Sequence, residues 1–254
     1  MENKHKEAPE SLAQIKGLII LVVIGIIIVL LSGLVLDLVK PIVKVSEKVI
    51  EDVTKPKVEL FIMTYCPYGL QMQKAYLPVM ELLGKKANID IKFVSYAMHG
   101  EKEVIENTRQ YCIEQEQPEK YISYAKCFAT SGDFASCLKQ ASVDVVKLNT
   151  CTTNTDSKFK ITASFNNKAT WLNGNYPVYP IYADLNTKYS VQGSPTLVIN
   201  GAQATADRTP EAVKKAICAA FTTKPVECDT VLSSQGFEPG FGGSAGATQA
   251  ATCN

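Results

Sequence analysis

The segment from Val58 to Gln73 constrains the fold most strongly, because it places a cysteine between a short apolar run and a longer amphipathic one. The apolar run, Val58 to Met63, predicts a buried strand, and the residues after Cys66 repeat apolar side chains at helical spacing. Pro67 suits the first helical position, which needs no N–H donor. A thiol there lies beside unpaired backbone N–H groups and the positive end of the helix dipole, which favour the nucleophilic thiolate. The alternative is a structural cysteine that packs as a small apolar side chain.

A second motif lies near the other end of the chain. Ser194-Pro195 directly precedes another apolar run, Thr196 to Ile199, which ends at the turn Asn200-Gly201. Together with Cys66-Pro67-Tyr68-Gly69, this motif resembles the thioredoxin superfamily, in which a cis-proline faces the active-site cysteine. The resemblance implies an α/β, thioredoxin-like fold with Cys66 as the catalytic residue. It also implies that the active-site motif is completed by Pro67, Tyr68, Gly69, Ser194 and Pro195.

The motif departs from the redox pattern of that superfamily at its fourth position. A Cys-x-x-Cys dithiol closes its own disulfide after it attacks a substrate, but here the fourth residue is Gly69. A lone thiol stops at the mixed disulfide until another thiol arrives. Cys66 therefore needs a second thiol from elsewhere in order to complete a redox cycle.

The N-terminal region predicts a membrane anchor. Residues 1–16 are polar, whereas Gly17 to Leu36 contains no charged residue and is long enough to cross a bilayer as a helix. A cleaved signal peptide would have a shorter apolar core followed by small residues, which Val35 to Val39 does not offer. We expect an uncleaved signal anchor over 17–36, followed by a stalk or linker over 37–56.

The cysteine content predicts the side of the membrane. Lysines flank the apolar segment on both sides, so the positive-inside rule does not decide the orientation. The chain contains eight cysteines, and disulfides persist on the oxidising side of a membrane. We expect a cytoplasmic N-terminus over 1–16 and a single-pass protein of the cell membrane whose folded domain is extracytoplasmic. The net charge of +1 argues against a nucleic-acid partner.

The folded domain is predicted over 57–232 and contains a helical insertion. Ile89 to Val94 alternates as a second strand does. Residues 101–151 then predict four short helices, which are Glu101–Gln115, Pro118–Thr130, Asp133–Ala141 and Val143–Cys151, with Asp133 and Ser142 as N-caps. Disulfide oxidoreductases of the DsbA type carry a helical insertion at the same place. An irregular loop is expected over 152–180, a helix over 181–189, and a disordered Gly/Ser/Ala tail over 233–254.

The most extended resemblance covers Met63 to Cys228. It is to membrane-anchored, thioredoxin-like proteins of bacteria, which share Thr-Tyr-Cys-Pro-Tyr-Gly at 64–69, Tyr-Ala-Met-His-Gly at 96–100 and Gly-Ser-Pro-Thr-Leu-Val-Ile-Asn-Gly at 193–201. The spacing of the insertion cysteines is also distantly similar to that of the gamma-interferon-inducible lysosomal thiol reductase. The resemblance implies a membrane-anchored protein with a thioredoxin-like domain.

Six cysteines predict three structural disulfides. Cys127 and Cys137 lie at similar distances from the Ser131-Gly132 turn of a helical hairpin, which puts them opposite each other, since each helical residue advances about 1.5 Å. This favours Cys127–Cys137 and, by elimination, Cys112–Cys151; Cys218 and Cys228 flank the Lys224-Pro225 turn as a third pair. A metal site is the alternative, but no Cys-x-x-Cys spacing or interleaved histidine supports it. We expect neither a metal nor a cofactor.

Cys66 and Cys253 remain. The residues between Cys228 and Cys253 would span about 25–30 Å as a glycine-rich coil, enough to return to the active site. One hypothesis is that Cys253 is the resolving thiol for Cys66; the alternatives are a disulfide-linked dimer through Cys253 and an incidental surface thiol. His99 is a candidate base near Cys66, although capping a strand end or the next helix is favoured.

Two classes of function follow. The first is a thiol-disulfide oxidoreductase or isomerase that acts on protein or peptide thiols and disulfides of the cell envelope. The second is a non-catalytic thioredoxin-like module for peptide binding or interaction, which the loss of cysteine at position 69 favours. The fold alone does not choose between them.

Overall fold

The computed structural model describes residues 55–243 of the 254-residue chain. The predicted cytoplasmic segment, the predicted anchor over 17–36, most of the predicted stalk and Cys253 lie outside this range. Within residues 55–243, no helix combines the length and apolar character needed to cross a bilayer.

A four-stranded mixed sheet forms the centre of the domain. Its strands are β1 (Lys57–Ile62), β2 (Asn88–Phe93), β3 (Thr196–Ile199) and β4 (Ala202–Ala204). The order across the sheet is β2-β1-β3-β4; β1 is parallel to β2 and antiparallel to β3, and β3 is antiparallel to β4. Since β1 is central, both of its faces are covered: Val58, Leu60 and Ile62 enter the main core, whereas Phe61 and Met63 enter a second apolar cluster.

Eight helices accompany the sheet in the described range. They are α1 (Pro67–Leu83), α2 (Glu101–Glu116), α3 (Pro118–Ser131), α4 (Phe134–Gln140), α5 (Val145–Phe159), α6 (Ile161–Asn166), α7 (Ala183–Lys188) and α8 (Pro210–Cys218), with short 3-10 turns at Lys168–Thr170 and Val226–Asp229. The succession β1-α1-β2 and then β3-β4-α8 has the order that the thioredoxin-like resemblance implied. The insertion expected over 101–151 corresponds to α2, α3, α4 and the first half of α5, and the helix expected over 181–189 is observed as α7. Helix α1 contacts β1, β2, α3 and α8, so it joins the sheet to the insertion.

Three disulfides staple this arrangement. Cys112–Cys151 joins α2 to α5, Cys127–Cys137 joins α3 to α4, and Cys218–Cys228 joins the end of α8 to the following 3-10 turn. These pairs match those predicted from the sequence. Each disulfide restricts the unfolded chain, which stabilises the fold by about 2–4 kcal/mol in typical domains.

The fourth helix of the insertion differs from its prediction. It was expected over Val143–Cys151 with Ser142 as its cap, but α5 begins at Val145 and continues to Phe159. Asp144 caps it by accepting hydrogen bonds from the N–H groups of Val146 (2.9 Å) and Lys147 (3.1 Å). The expected irregular loop over 152–180 is therefore wrong at its start, since it contains the end of α5 and all of α6. Threonine and asparagine have modest helix propensity, and the tertiary contacts of α5 override it.

Residues 233–243, which we name the C-terminal strap, also differ from the prediction of a disordered tail. The Gly240 N–H donates to the Pro67 carbonyl (2.9 Å), and the Gly242 N–H donates to the Thr130 carbonyl (2.8 Å). The Phe241 ring makes edge contacts with the rings of Tyr65 and Phe128. The strap therefore crosses the first half of α1 and reaches α3.

Lys74 of α1 anchors the strap. Its buried ammonium donates to the carbonyl oxygens of Glu238 (2.9 Å), Gly240 (2.8 Å) and Gly242 (2.9 Å). Gly240 and Gly242 have φ values of 83° and 120°, a conformation that residues with a Cβ rarely adopt. The strap thus depends on a side chain of α1 that is distant in sequence, which composition alone does not reveal.

We predict that Lys74→Met destabilises the full chain by about 2 kcal/mol, because three charge-assisted hydrogen bonds are lost and their carbonyl groups stay partly buried. Urea unfolding followed by circular dichroism measures this change. Lys85→Met is the matched control, since Lys85 is exposed just beyond the end of α1. Equal unfolding midpoints for the two variants would contradict the anchoring role of Lys74.

A pH-dependent contact holds the chain that enters the strap. The backbone N–H of Leu232 donates to the Glu211 carboxylate (2.8 Å), and this bond, followed by that from Lys214, holds the pKa of Glu211 below its usual range. Because the pKa of Glu211 is lower in the folded protein than in the unfolded chain, where it is near 4.3, the ionised carboxylate stabilises the fold above about pH 4.3. This stabilisation is lost as the pH falls through the pKa of the folded state.

We therefore predict that the free energy of unfolding falls less steeply below about pH 4.5 in Glu211→Gln than in the unchanged protein. Thermal unfolding at a series of pH values measures the slope, and Glu116→Gln, at an exposed position of α2, serves as the control. The contact has no such role if Glu211→Gln and the unchanged protein lose stability in parallel.

Candidate active site

Cys66 lies at the N-terminal cap of α1. The backbone of Cys66 is extended, and Pro67 occupies the first turn of the helix. The N–H of Cys66 donates to the Met63 carbonyl at 3.0 Å. The side chain is 5% exposed and packs in the second apolar cluster with Met63 and Val191. The thiol thus has a narrow opening to solvent at the positive end of a helix of seventeen residues.

The Ser194-Pro195 segment faces Cys66 from the other side. The Ser194–Pro195 peptide bond is cis. The Cys66 thiol donates to the Ser194 carbonyl at 3.5 Å, and the Met63 N–H donates to the Ser194 hydroxyl oxygen at 2.9 Å. The backbone leading into β3 therefore lies against both the end of β1 and the start of α1, which brings the two sequence motifs together as the resemblance implied.

Gly69 and Ser194 share one small space. A Cβ atom built on Gly69 would lie 2.4 Å from the Ser194 hydroxyl oxygen, 3.0 Å from the Met63 carbonyl oxygen and 3.3 Å from the Cβ of Cys66. The Ser194 hydroxyl cannot move away without losing the hydrogen bond from Met63. The hydroxyl of Ser194 thus occupies the space that a side chain at position 69, including a second cysteine, would need.

Glu103 in the first turn of α2 connects the loops around the site. Its fully buried carboxylate accepts hydrogen bonds from the N–H groups of Tyr65 (3.2 Å) and Met98 (2.9 Å). The same carboxylate lies 2.6 Å from Nδ1 of His99. His99 therefore pairs with a side chain of the next helix, whereas the N-cap of that helix is Gly100 and has no side-chain cap.

Tyr65 and Tyr68 flank Cys66 in sequence, and Tyr96 packs against the same apolar cluster as Cys66. Tyr68 of α1 is 44% exposed, whereas Tyr65 packs between the rings of Phe128 and Phe241. The Tyr96 hydroxyl donates to the Gln192 carbonyl at 2.8 Å, which ties the loop after β2 to the loop before β3. Burial, followed by the negative charges that Tyr176 and Cys66 can carry, raises the pKa of Tyr96.

The predicted site residues are thus distributed as follows. The start of α1 brings together Cys66, Pro67, Gly69 and Ser194. Pro195 follows Ser194 and lines the cavity next to it, and Tyr68 is exposed in the first turn of α1. Cys253 lies outside the described residues. Sequence analysis missed Glu103 and Arg208, the latter of which contacts Tyr68 and Gln71. The position of Glu103 four residues after His99 was a usable signal, but nothing in the local sequence marked Arg208.

We predict that Gly69→Ala destabilises the protein by about 1–3 kcal/mol, because the new methyl group overlaps the Ser194 hydroxyl. In a Ser194→Ala background the same substitution should cost less, by about 1 kcal/mol, since the overlapping oxygen is gone. A double-mutant cycle in urea measures this coupling. Additive effects would show that the two side chains do not compete for space.

Comparison with solved structures finds similarity to bacterial disulfide oxidoreductases. Oxidised DsbA from Mycobacterium tuberculosis gives a TM-score of 0.49 at 15% identity over 68% of this chain and 87% of that chain. Reduced DsbG from the same organism gives 0.47 at 15% identity over 68% and 82%, and oxidised BdbD from Bacillus subtilis gives 0.45 at 18% over 68% and 90%. No protein-family model matches the sequence, and a search of curated proteins finds no relative.

Proposed function

We propose that this protein is an exported, membrane-anchored thiol-disulfide oxidoreductase or isomerase that uses Cys66 as its single nucleophile on disulfides of envelope proteins. The observation that carries the proposal is the state and position of this thiol. Six of the seven cysteines in residues 55–243 are paired, whereas Cys66 is free at the start of α1 and contacts the Ser194 carbonyl.

The chemistry is an exchange that needs no outside oxidant. The Cys66 thiolate attacks one sulfur of a substrate disulfide, the S–S bond of the substrate breaks, and its other sulfur leaves as a thiolate. The product is a mixed disulfide between Cys66 and the substrate. The sulfur lies at the N-terminal cap of α1, where Cys66 precedes the first helical residue.

The filled space beside Gly69 favours isomerisation over net oxidation. No second thiol of the motif is available to release the substrate, so the thiolate that left the substrate must attack the mixed disulfide or another disulfide of the same substrate. Direct attack on the mixed disulfide regenerates Cys66 and re-forms the original bond. Attack on another disulfide of the substrate frees a different thiolate, which must then attack the mixed disulfide to regenerate Cys66. Both routes leave the total number of disulfides unchanged. A substrate with several mispaired cysteines fits this cycle best.

Cys253 is the candidate for a resolving thiol within the chain. The strap approaches the site, since Gly240 contacts Pro67 and Gly242 contacts Thr130. From Gly243 onward the chain reaches about 3.4 Å per residue when extended, which is enough for Cys253 to return to Cys66. A disulfide between two copies of the protein through Cys253 is the competing arrangement.

The proposed location depends on the sequence and on the disulfides. The apolar segment over 17–36 has the length and composition of a membrane anchor. Three disulfides in the described range favour an oxidising compartment for the domain. The proposed topology is therefore a cytoplasmic N-terminus and an extracytoplasmic domain.

A second candidate function is a peptide-binding module without catalysis. The low exposure of Cys66 and the glycine at position 69 favour it, because both limit access to redox chemistry. In this case the backbone at Ser194-Pro195 would bind an extended peptide, and the thiol would pack as part of the core.

We predict that the full chain in detergent forms a mixed disulfide with a peptide that contains one disulfide, and that Cys66→Ser abolishes this product. Acid quenching followed by mass spectrometry detects it, and Cys253→Ser separates attack from resolution. If Cys253 resolves the intermediate, Cys253→Ser accumulates more of it. Peptide binding of equal affinity with and without Cys66, and with no covalent product, would establish the binding module instead.

A further inference from the structure

A small cavity of about 160 Å³ lies beside the cis-proline. Met72 of α1, Pro195, Leu197 of β3 and Arg208 are among its lining residues. The cavity thus adjoins the segment whose Ser194 carbonyl contacts the Cys66 thiol. A peptide that placed its sulfur at Cys66 and ran along Pro195 would bring a neighbouring side chain to this cavity.

Arg208 is held in a fixed position at the edge of the cavity. Its Nη1 donates to the Gln71 side-chain oxygen at 2.7 Å, and its guanidinium carbon lies 4.9 Å from the ring centroid of Tyr68. Gln71 is fixed in turn, because its amide nitrogen donates to the Phe237 carbonyl of the strap at 2.6 Å. The guanidinium is therefore oriented before a ligand arrives, which reduces the entropy lost on binding.

The charge of Arg208 has no partner in the described part of the chain. The other arginine of the sequence, Arg109, pairs with the buried carboxylate of Glu106, and this charge opposes the rise in the pKa of Glu106 that burial causes. None of the ion pairs within residues 55–243 includes Arg208, even though Asp207 is its neighbour in sequence. A guanidinium has five N–H donors, and the contact with Gln71 uses only one of them.

We propose that Arg208 forms a carboxylate-binding subsite, so that Cys66 reacts preferentially with disulfides flanked by an acidic residue. This inference rests on the proposed function, because it assigns a substrate class to the same site. The planar guanidinium matches the geometry of a carboxylate and can bind it through two parallel hydrogen bonds. The positive end of α1 adds to the attraction. Tyr68, exposed beside the guanidinium, supplies an apolar surface for the stem of the acidic side chain.

The test uses activated peptides that differ only in the two residues that flank the cysteine. Three peptides, Gly-X-Cys-X-Gly with X as Asp, Asn or Lys, carry a 2-thiopyridyl group on the cysteine sulfur. Attack by the Cys66 thiolate on the peptide sulfur forms the mixed disulfide and releases pyridine-2-thiolate, which is protonated to a thione that absorbs light. All proteins carry Cys253→Ser in the full chain, and every rate is divided by the rate with 2-mercaptoethanol to remove the intrinsic reactivity of each peptide.

We expect the normalised rate for the Asp peptide to exceed that for the Asn peptide by about fivefold, and the Lys peptide to react more slowly than both. The preference should shrink in about 0.5 M salt, since the charges are partly exposed. Arg208→Gln should bring the ratio of the Asp rate to the Asn rate close to one. Arg208→Lys should retain part of the preference for the Asp peptide, and Arg208→Glu should make the Lys peptide react fastest. Circular dichroism and thermal unfolding verify that each variant is folded.

Lys224→Gln is the control for net charge. Lys224 is exposed and lies close in sequence to the 3-10 turn at Val226–Asp229. Glu227 of that turn pairs with Lys86, which follows the C-terminal end of α1. Cys66 lies at the opposite, N-terminal end of α1. This variant should keep the ratio of the unchanged protein. Equal normalised rates for the three peptides, or a ratio that survives Arg208→Gln, would overturn the subsite while leaving the function of Cys66 intact. Release that is no faster than with Cys66→Ser would instead overturn the proposed function and the subsite with it.

Discussion

The space between Ser194 and Gly69 can hold only one side chain, and the organisation of the site depends on which residue fills it. The Ser194 hydroxyl fills it and accepts the hydrogen bond of Met63, where β1 ends. This contact fixes the cis-proline segment against the start of α1 and leaves Cys66 facing a backbone carbonyl. A side chain at position 69 would require the Ser194 hydroxyl to move and to give up the hydrogen bond from Met63. The monothiol character of the site is therefore a property of the packing as well as of one substitution in the motif.

The insertion and the strap both support the start of α1. Helices α2 and α3 contribute Glu103, which binds the backbone just before Cys66, and Phe128, which packs on Tyr65. The strap contributes carbonyl groups to the buried ammonium of Lys74 and a ring to the same aromatic group. Two disulfides lie within the insertion, so its helices are held to each other independently of the sheet. The start of α1 is thus enclosed by elements that are far apart in the chain.

The buried charges around the site have internal partners, whereas Arg208 forms no ion pair within residues 55–243. The carboxylates of Glu103 and Glu106 and the ammonium of Lys74 all have buried partners, as the cost of burying a charge requires. Arg208 is oriented by uncharged neighbours, Gln71 and Tyr68, and is partly exposed. Such a group can bind an anionic ligand without first breaking an ion pair. The site therefore combines a nucleophile, a backbone edge and a fixed positive charge.

The features that depend on local pattern could be predicted from the sequence alone. These are the strand and helix on either side of Cys66, the motif at Ser194-Pro195, the insertion between β2 and β3, and the pairs Cys127–Cys137 and Cys218–Cys228, because apolar spacing, capping residues and turn positions are encoded within short segments. Cys112–Cys151 joins segments 39 residues apart and followed from the sequence only by elimination. Only the tertiary structure decided the length of α5, the order of the strap, the pairing of Glu103 and the position of Arg208. In each case a residue is stabilised by partners distant in sequence: Cys151 by Cys112, the strap carbonyl groups by Lys74, and Arg208 by Gln71. Composition favoured a loop or disorder for the end of α5 and for the strap, and contacts across the fold outweighed that preference.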